Sequence, residues 1–137
     1  MILIDANIFM YAGGADHPHK QPSTELLRRV ANRELEAAID AEVLQEILHR
    51  YRTINRWEDG RLVYDFARRI VPTVLAVSAE TLDAARALLD QHPSLTARDA
   101  VHASVCRLAQ ARGLCSYDRD FDVIDDFTRF EPGDSRF

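Results

Sequence analysis

The sequence predicts an α/β fold built on a mainly parallel sheet of four to five strands. Short apolar runs (MILID, LEAAI, TVLAV, LCSY) alternate with longer segments of helical periodicity, the pattern of strands joined by helical crossovers. The helical segments are bracketed by capping and breaking residues, which separates them into discrete elements. With 137 residues and 47% hydrophobic content, the chain can bury a core without disulfides or structural zinc.

MILID reads as a buried strand ending on Asp5, and ANIFMYA as a helical turn running into the Gly13-Gly14 break. ADHPHKQP is a polar loop. Pro22 suits a first helical turn, and Leu26, Leu27 and Val30 form the apolar stripe behind it. LEAAI is the second strand, followed by Asp40 as N-cap of the helix AEVLQEILHRY. RLVYDFARRIV is a further helix that Pro72 stops, before a third strand, TVLAV, and the helix SAETLDAARALLDQ. His92-Pro93-Ser94 makes a turn, Thr96 caps ARDAVHASVCRLAQAR, Gly113 ends it, LCSY is the fourth strand and TRFEP the fifth. With no repeat, low-complexity segment or linker, a single domain over residues 1–137 is expected, its last few residues disordered.

Cys106 and Cys115 match no metal or redox spacing, so both read as inert core residues in a reducing cytoplasm. The N-terminus lacks a basic leader, and no run approaches the roughly 18 apolar residues of a membrane span, so a soluble cytoplasmic protein is expected. The net charge of −5 argues against coating nucleic acid by global attraction and leaves only local basic patches to hold phosphates.

The acids carry the chemistry. SYDRDFDVIDDF places Asp118, Asp120 and Asp122 at alternating positions like a calcium loop, but Val123 stands where that loop needs glycine and Arg129 where it needs glutamate. In open parallel sheets, ligands bind beyond the carboxyl ends of strands, and Asp5 and Asp118 both lie at such ends. Glu46 falls about 60° outside the apolar arc of its helix, where it could look over the core's rim or pair with Arg50. Asp99, in Thr96-Ala97-Arg98-Asp99, has the form of a capping box, a role compatible with metal binding. His102 reads as a core histidine, or one orienting a carboxylate, and stays outside the catalytic set because no second histidine has matching spacing.

LIDANIF, VLQEILHRY, TARDAVHAS and CSYDRDF resemble, in order and spacing, the four successive motifs of PIN-domain ribonucleases. The similarity is closest to VapC-type toxins of bacterial toxin–antitoxin pairs and spans nearly the whole chain. It implies a PIN-like three-layer α/β/α sandwich and a catalytic set of Asp5, Glu46, Asp99 and Asp118. Asp5, Asp99 and Asp118 would ligate metal, with Glu46 and Asp122 as optional further ligands and Asp120 of open role. Asn7 and Ser116 match small polar positions that hold the cluster.

Hard oxygen donors without paired histidines favour Mg²⁺ or Mn²⁺ over zinc. The implied activity is metal-dependent endoribonucleolytic hydrolysis of RNA, by a toxin that inhibits translation or growth. Glu46 would bind a second metal or orient the attacking water; both remain open. Arg50, Arg52, Arg56 and Arg119 are candidates for RNA phosphate contacts, against the plainer reading of a solvated, internally paired face. The resemblance also implies a cognate antitoxin and homodimerisation. The rival is a non-catalytic PIN-like module that binds RNA or protein. A haloacid-dehalogenase phosphatase would need a carboxylate where Asn7 stands, and a receiver domain a lysine after a late strand, which Lys20 cannot supply.

Overall fold

The computed structural model describes residues Met1 to Phe137. At its centre is β1 (Ile2–Ile4), apolar and buried throughout because helices cover both its faces. Side chains alternate across the strand: Ile2 and Ile4 enter one core and Leu3 the other. β1 pairs in parallel with β2 (Ala37–Asp40) and β4 (Leu114–Cys115), and β3 (Val74–Leu75) and β5 (Arg129–Phe130) form the edges, giving the all-parallel order β3-β2-β1-β4-β5. Leu3 lies opposite Leu114 and Ile4 opposite Cys115, so Asp5 and Ser116 leave the sheet side by side.

Four helices pack with the core of Ile2 and Ile4: α1 (Ala6–Gly13), α2 (Lys20–Ala31), α3 (Ala41–Thr53) and α4 (Trp57–Ile70). α5 (Ala79–Gln91) and α6 (Ala97–Leu108) pack with that of Leu3 and Leu114. The result is the three-layer α/β/α sandwich. Phe9 and Phe121 are fully buried in the two cores, and each contributes roughly 1.5–3 kcal/mol by leaving water. At the C-terminus, Phe137 packs edge-on against Phe130, with ring centroids 5.1 Å apart.

Several boundaries differ from the sequence reading. α6 stops at Leu108, short of Gly113, because Gln110 adopts a left-handed conformation (φ 53°). Gln110 N–H then reaches Arg107 O and Ala111 N–H reaches Cys106 O, each at 3.0 Å, which makes a Schellman termination without glycine. α2 and α3 end in the same way through Arg33 and Asn55. Gly113 serves close packing instead: a Cβ there would lie 2.4 Å from Thr128 O, where the chain entering β5 runs beside the start of β4. β3 keeps two of the five residues in TVLAV, since an edge strand with one neighbour ends where that neighbour turns into α3. α4 begins at Trp57, four residues before the predicted RLVYDFARRIV, and Gly60 lets its first turn approach Tyr51 of α3.

Candidate active site

Asp5, Asp40 and Ser116 lie at or just beyond the carboxyl ends of the three central strands, and each has a fixed local role there. Asp5 caps α1, its Oδ1 accepting from Ala6 N–H at 2.7 Å. Its Oδ2 accepts from the Ser116 hydroxyl at 2.5 Å and from Asn7 Nδ2 at 3.2 Å. The same hydroxyl accepts from Asn7 Nδ2 and from Asp118 N–H, each at 3.0 Å. Ser116 thus locks Asp5, Asn7 and the backbone of Asp118 into one arrangement, although the first and last are far apart in sequence.

Asp118 caps a 3₁₀ turn over Arg119–Val123 by accepting Asp120 N–H at 2.9 Å. Asp99 stands in the first turn of α6, its N–H donating to Thr96 Oγ1 at 3.2 Å; this is half of the expected capping box, and the complete version occurs at Ser78 and Thr81 of α5. Carboxylate oxygens of Asp99, Asp118 and Asp120 lie within 4.8 Å of one another. Burial, reinforced by repulsion from Asp118, pushes the Asp99 carboxyl up to about 6. Burial likewise raises Asp5, against the opposing pull of His102.

Glu46 reaches the site from α3 and pairs away from Arg50. His102 Nε2 is 2.8 Å from Glu46 Oε1, and His102 Nδ1 is 2.7 Å from Asp40 Oδ2. Burial opposes charge on His102, but its bonds to Asp40 and Glu46 prevail and hold the ring well above its ordinary range. Both ring nitrogens are engaged by carboxylate oxygens, which leaves neither free for a metal. Asp5, Glu46 and His102 are clustered closely enough for a metal triad, but the histidine is taken up by Asp40 and Glu46 and serves as a support. His102 is the core histidine orienting a carboxylate that the sequence suggested.

These side chains line an open cavity of about 560 Å³ bounded by Asp5, Asn7, Glu46, Asp99, Asp118 and Asp120, with Arg98 as the only base on its wall. Five carboxylates facing one arginine leave strong excess negative charge. Two carboxylates about 4 Å apart repel by roughly 4 kcal/mol at an effective dielectric near 20, so the donor set suits a divalent cation. Asp99, Asp118 and Asp120, with Asp5 beside them, are the groups that fit one.

The other predicted residues are distributed differently. Asp122 is 2.8 Å from Arg129 Nε and lies outside the acidic cluster, and this pairing lowers its carboxyl. Arg52 stacks over Trp57 at 4.7 Å. Arg50 and Arg56 line a neighbouring cleft with Asn7 and Met10, and Arg119 sits exposed on the 3₁₀ turn. Sequence reasoning missed Arg98 altogether and read Asp40 only as a cap. Asp40 is one, its Oδ1 accepting Val43 N–H at 3.0 Å, but its second oxygen anchors His102. The signal for that was its place at a strand's carboxyl end, the position that marked Asp5.

An all-parallel sheet presenting carboxylates from its strand ends and from two flanking helices is the arrangement of PIN domains. The PIN domain family model matches residues 2–126, and the chain belongs to that family. Its relatives include Ribonuclease VapC13 of Mycobacterium tuberculosis, 41% identical over 122 residues that cover 89% of this chain and 93% of the relative. Ribonuclease VapC7 of the same species is 34% identical over 137 residues, covering 96% and 92%. Among solved structures, Mycobacterium tuberculosis VapC20, described as a Sarcin-Ricin loop cleaving toxin, superposes with a TM-score of 0.76 at 18% identity, over 96% of this chain and all of that one. VapBC2 from Rickettsia felis, bound to a DNA fragment from its promoter, gives 0.73 at 20% identity, over 96% and 98%.

Proposed function

We propose that this chain is a Mg²⁺- or Mn²⁺-dependent endoribonuclease and the toxin of a toxin–antitoxin pair in the cytoplasm. The observation that carries the reading is the convergence of Asp5, Asp99 and Asp118 on one cavity, with Asp5 and Asp118 braced by a shared serine hydroxyl. Its relatives at 34–41% identity are named ribonucleases.

Asp5, Asp99 and Asp118 would hold the metal, with Asp120 at its edge. When bound, such an ion neutralises phosphate charge and makes a water a usable nucleophile near neutral pH. The protein's own groups supply position and proton handling. Ser116 and Asn7 aim Asp5, the serine bond offsetting part of the burial that raises its carboxyl, and Asp99 would ligate as the carboxylate. Glu46, with Oε1 committed to His102, orients the attacking water and receives its proton through Oε2 as water oxygen bonds to phosphorus and the ester P–O bond breaks, the leaving oxygen taking a proton from solvent.

An antitoxin is the expected partner, in keeping with the toxin–antitoxin complexes among the structural neighbours. A second cleft of about 390 Å³, lined by Phe9, Tyr51, Val63, Phe66 and the exposed Leu62, offers apolar surface for a partner's segment. Homodimerisation belongs to the same reading.

The test is cleavage of RNA by purified protein with Mg²⁺ or Mn²⁺, with EDTA, and after Asp5→Asn or Asp99→Asn. Cleavage should need metal and fail in both variants. Cleavage that survives chelation and both substitutions would overturn the mechanism. A folded wild type that binds RNA and never cuts it would make the chain a binding module.

A further inference from the structure

We infer that Arg98 is an RNA-phosphate contact of the acidic cavity, parked on Glu42 and Glu46 until substrate arrives; this rests on the ribonuclease reading above. Of the residues lining the cavity, Arg98 alone is basic. An RNA strand entering there meets five carboxylates, and metal covers only those that ligate it. A fixed cation on the wall is therefore placed where phosphate is otherwise repelled.

The pairing of Arg98 is loose. Its Nε lies 3.4 Å from Glu46 Oε1 and 3.7 Å from Glu42 Oε1, with 45% of the side chain exposed. Those separations are ion-pair distances that make no close hydrogen bond, and on the arginine's side the pairing is open to screening by water. Glu46 keeps a tighter partner, His102 Nε2 at 2.8 Å, on the same oxygen. Arg98 can therefore move to a phosphate without leaving Glu46 unpaired. The guanidinium has donors to spare and a planar fork that fits phosphate oxygens.

The arginines chosen from sequence are less favourably disposed. Arg52 is held over Trp57, and Arg50 and Arg119 are absent from the wall of this cavity. Arg98 sits one residue before Asp99, in the turn that delivers a proposed metal ligand.

The experiment compares RNA binding by Asp99→Asn protein with and without Arg98→Gln, using a short single-stranded RNA between 50 and 200 mM salt. Steady-state cleavage by wild type, Arg98→Gln and Arg98→Lys is measured in parallel. Loss of one phosphate contact should weaken binding about tenfold at the low-salt end and reduce the salt slope by about 0.7. KM should rise more than kcat falls, and Arg98→Lys should recover part of the loss. An unchanged salt slope and KM in Arg98→Gln would overturn the inference, as would a fall in kcat alone, which would make Arg98 a support for Glu46. If wild type binds RNA with an Arg98-dependent slope but never cuts it, the ribonuclease reading fails while the contact stands.

Discussion

His102 Nε2 lies 2.8 Å from Glu46 Oε1, and this buried bond joins α6 to α3 beneath the acidic cavity. The ring's other nitrogen holds Asp40, which is 0% exposed, so removing the imidazole strips one oxygen of a fully buried carboxylate and leaves Glu46 only the looser Arg98. His102→Leu should cost about 3–5 kcal/mol in urea unfolding, the usual penalty for breaking a buried pair from one side. Because the ring's folded-state pKa is raised, its contribution is complete below its unfolded value and is lost as pH rises through the folded one. Wild type should therefore lose stability on the alkaline side of neutrality. A variant whose stability matches wild type across that range would show that the ring carries no charge.

Replacing Asp99 has the opposite consequence for the metal-free protein. Its carboxyl, raised from 3.8 to about 6, holds its proton more firmly folded than unfolded, so stability should fall as pH rises from about 4 to about 6. Asp99→Asn should flatten that slope and stabilise the metal-free protein at pH 7 by on the order of 2 kcal/mol. Added Mg²⁺ or Mn²⁺ should raise the melting temperature of wild type, less so below pH 6 where protons compete, and leave the variant nearly unmoved. Equal metal-induced shifts in the two proteins would remove Asp99 from the ligand set.

Gly113 gives a prediction about folding alone. A Cβ there would lie 2.4 Å from Thr128 O and 2.7 Å from Phe130 Cε2, and the backbone oxygen cannot turn aside as a flexible side chain would. Gly113→Ala should cost about 1–3 kcal/mol by forcing β4 and β5 apart, measured by thermal unfolding. A cost below about 0.5 kcal/mol would mean that the β5 edge yields freely.

What could be read in advance follows the range of the interactions involved. Asp5 was legible because a buried strand announces its own end. Asp118 was expected at such an end too, but β4 stops at Cys115 and Asp118 lies three residues on, capping the 3₁₀ turn. Local periodicity placed Glu46 just outside its helix's apolar arc. The partners of Glu46 were not legible, since His102 and Arg98 come from a helix some 50 residues on and only the fold brings them together. Asp122 resembled a ligand in sequence because nothing local shows Arg129 folding back onto it. Helix ends were misjudged where Gln110 adopts a left-handed conformation that favours glycine, because a Schellman hydrogen-bond pair can be completed by a residue with no sequence signature for it.

Ser116 is where stability and activity should separate most clearly. Its hydroxyl donates to Asp5 Oδ2 and accepts from Asn7 Nδ2 and Asp118 N–H, so Ser116→Ala leaves two donors and one carboxylate oxygen short of a partner. The stability cost should be modest, about 1–3 kcal/mol, because methyl replaces hydroxyl in the same buried space. The effect on the site should be larger in kind, since Asp5 and Asp118 lose their common brace while both carboxylates remain. Metal affinity or cleavage should fall 10- to 100-fold, as when groups orienting metal ligands are removed. Ser116→Thr keeps the hydroxyl and should recover part of the activity if the site admits the extra methyl. Metal titration beside the cleavage assay checks this: full affinity and full activity in Ser116→Ala would show that Asn7 and the α1 cap suffice to aim Asp5.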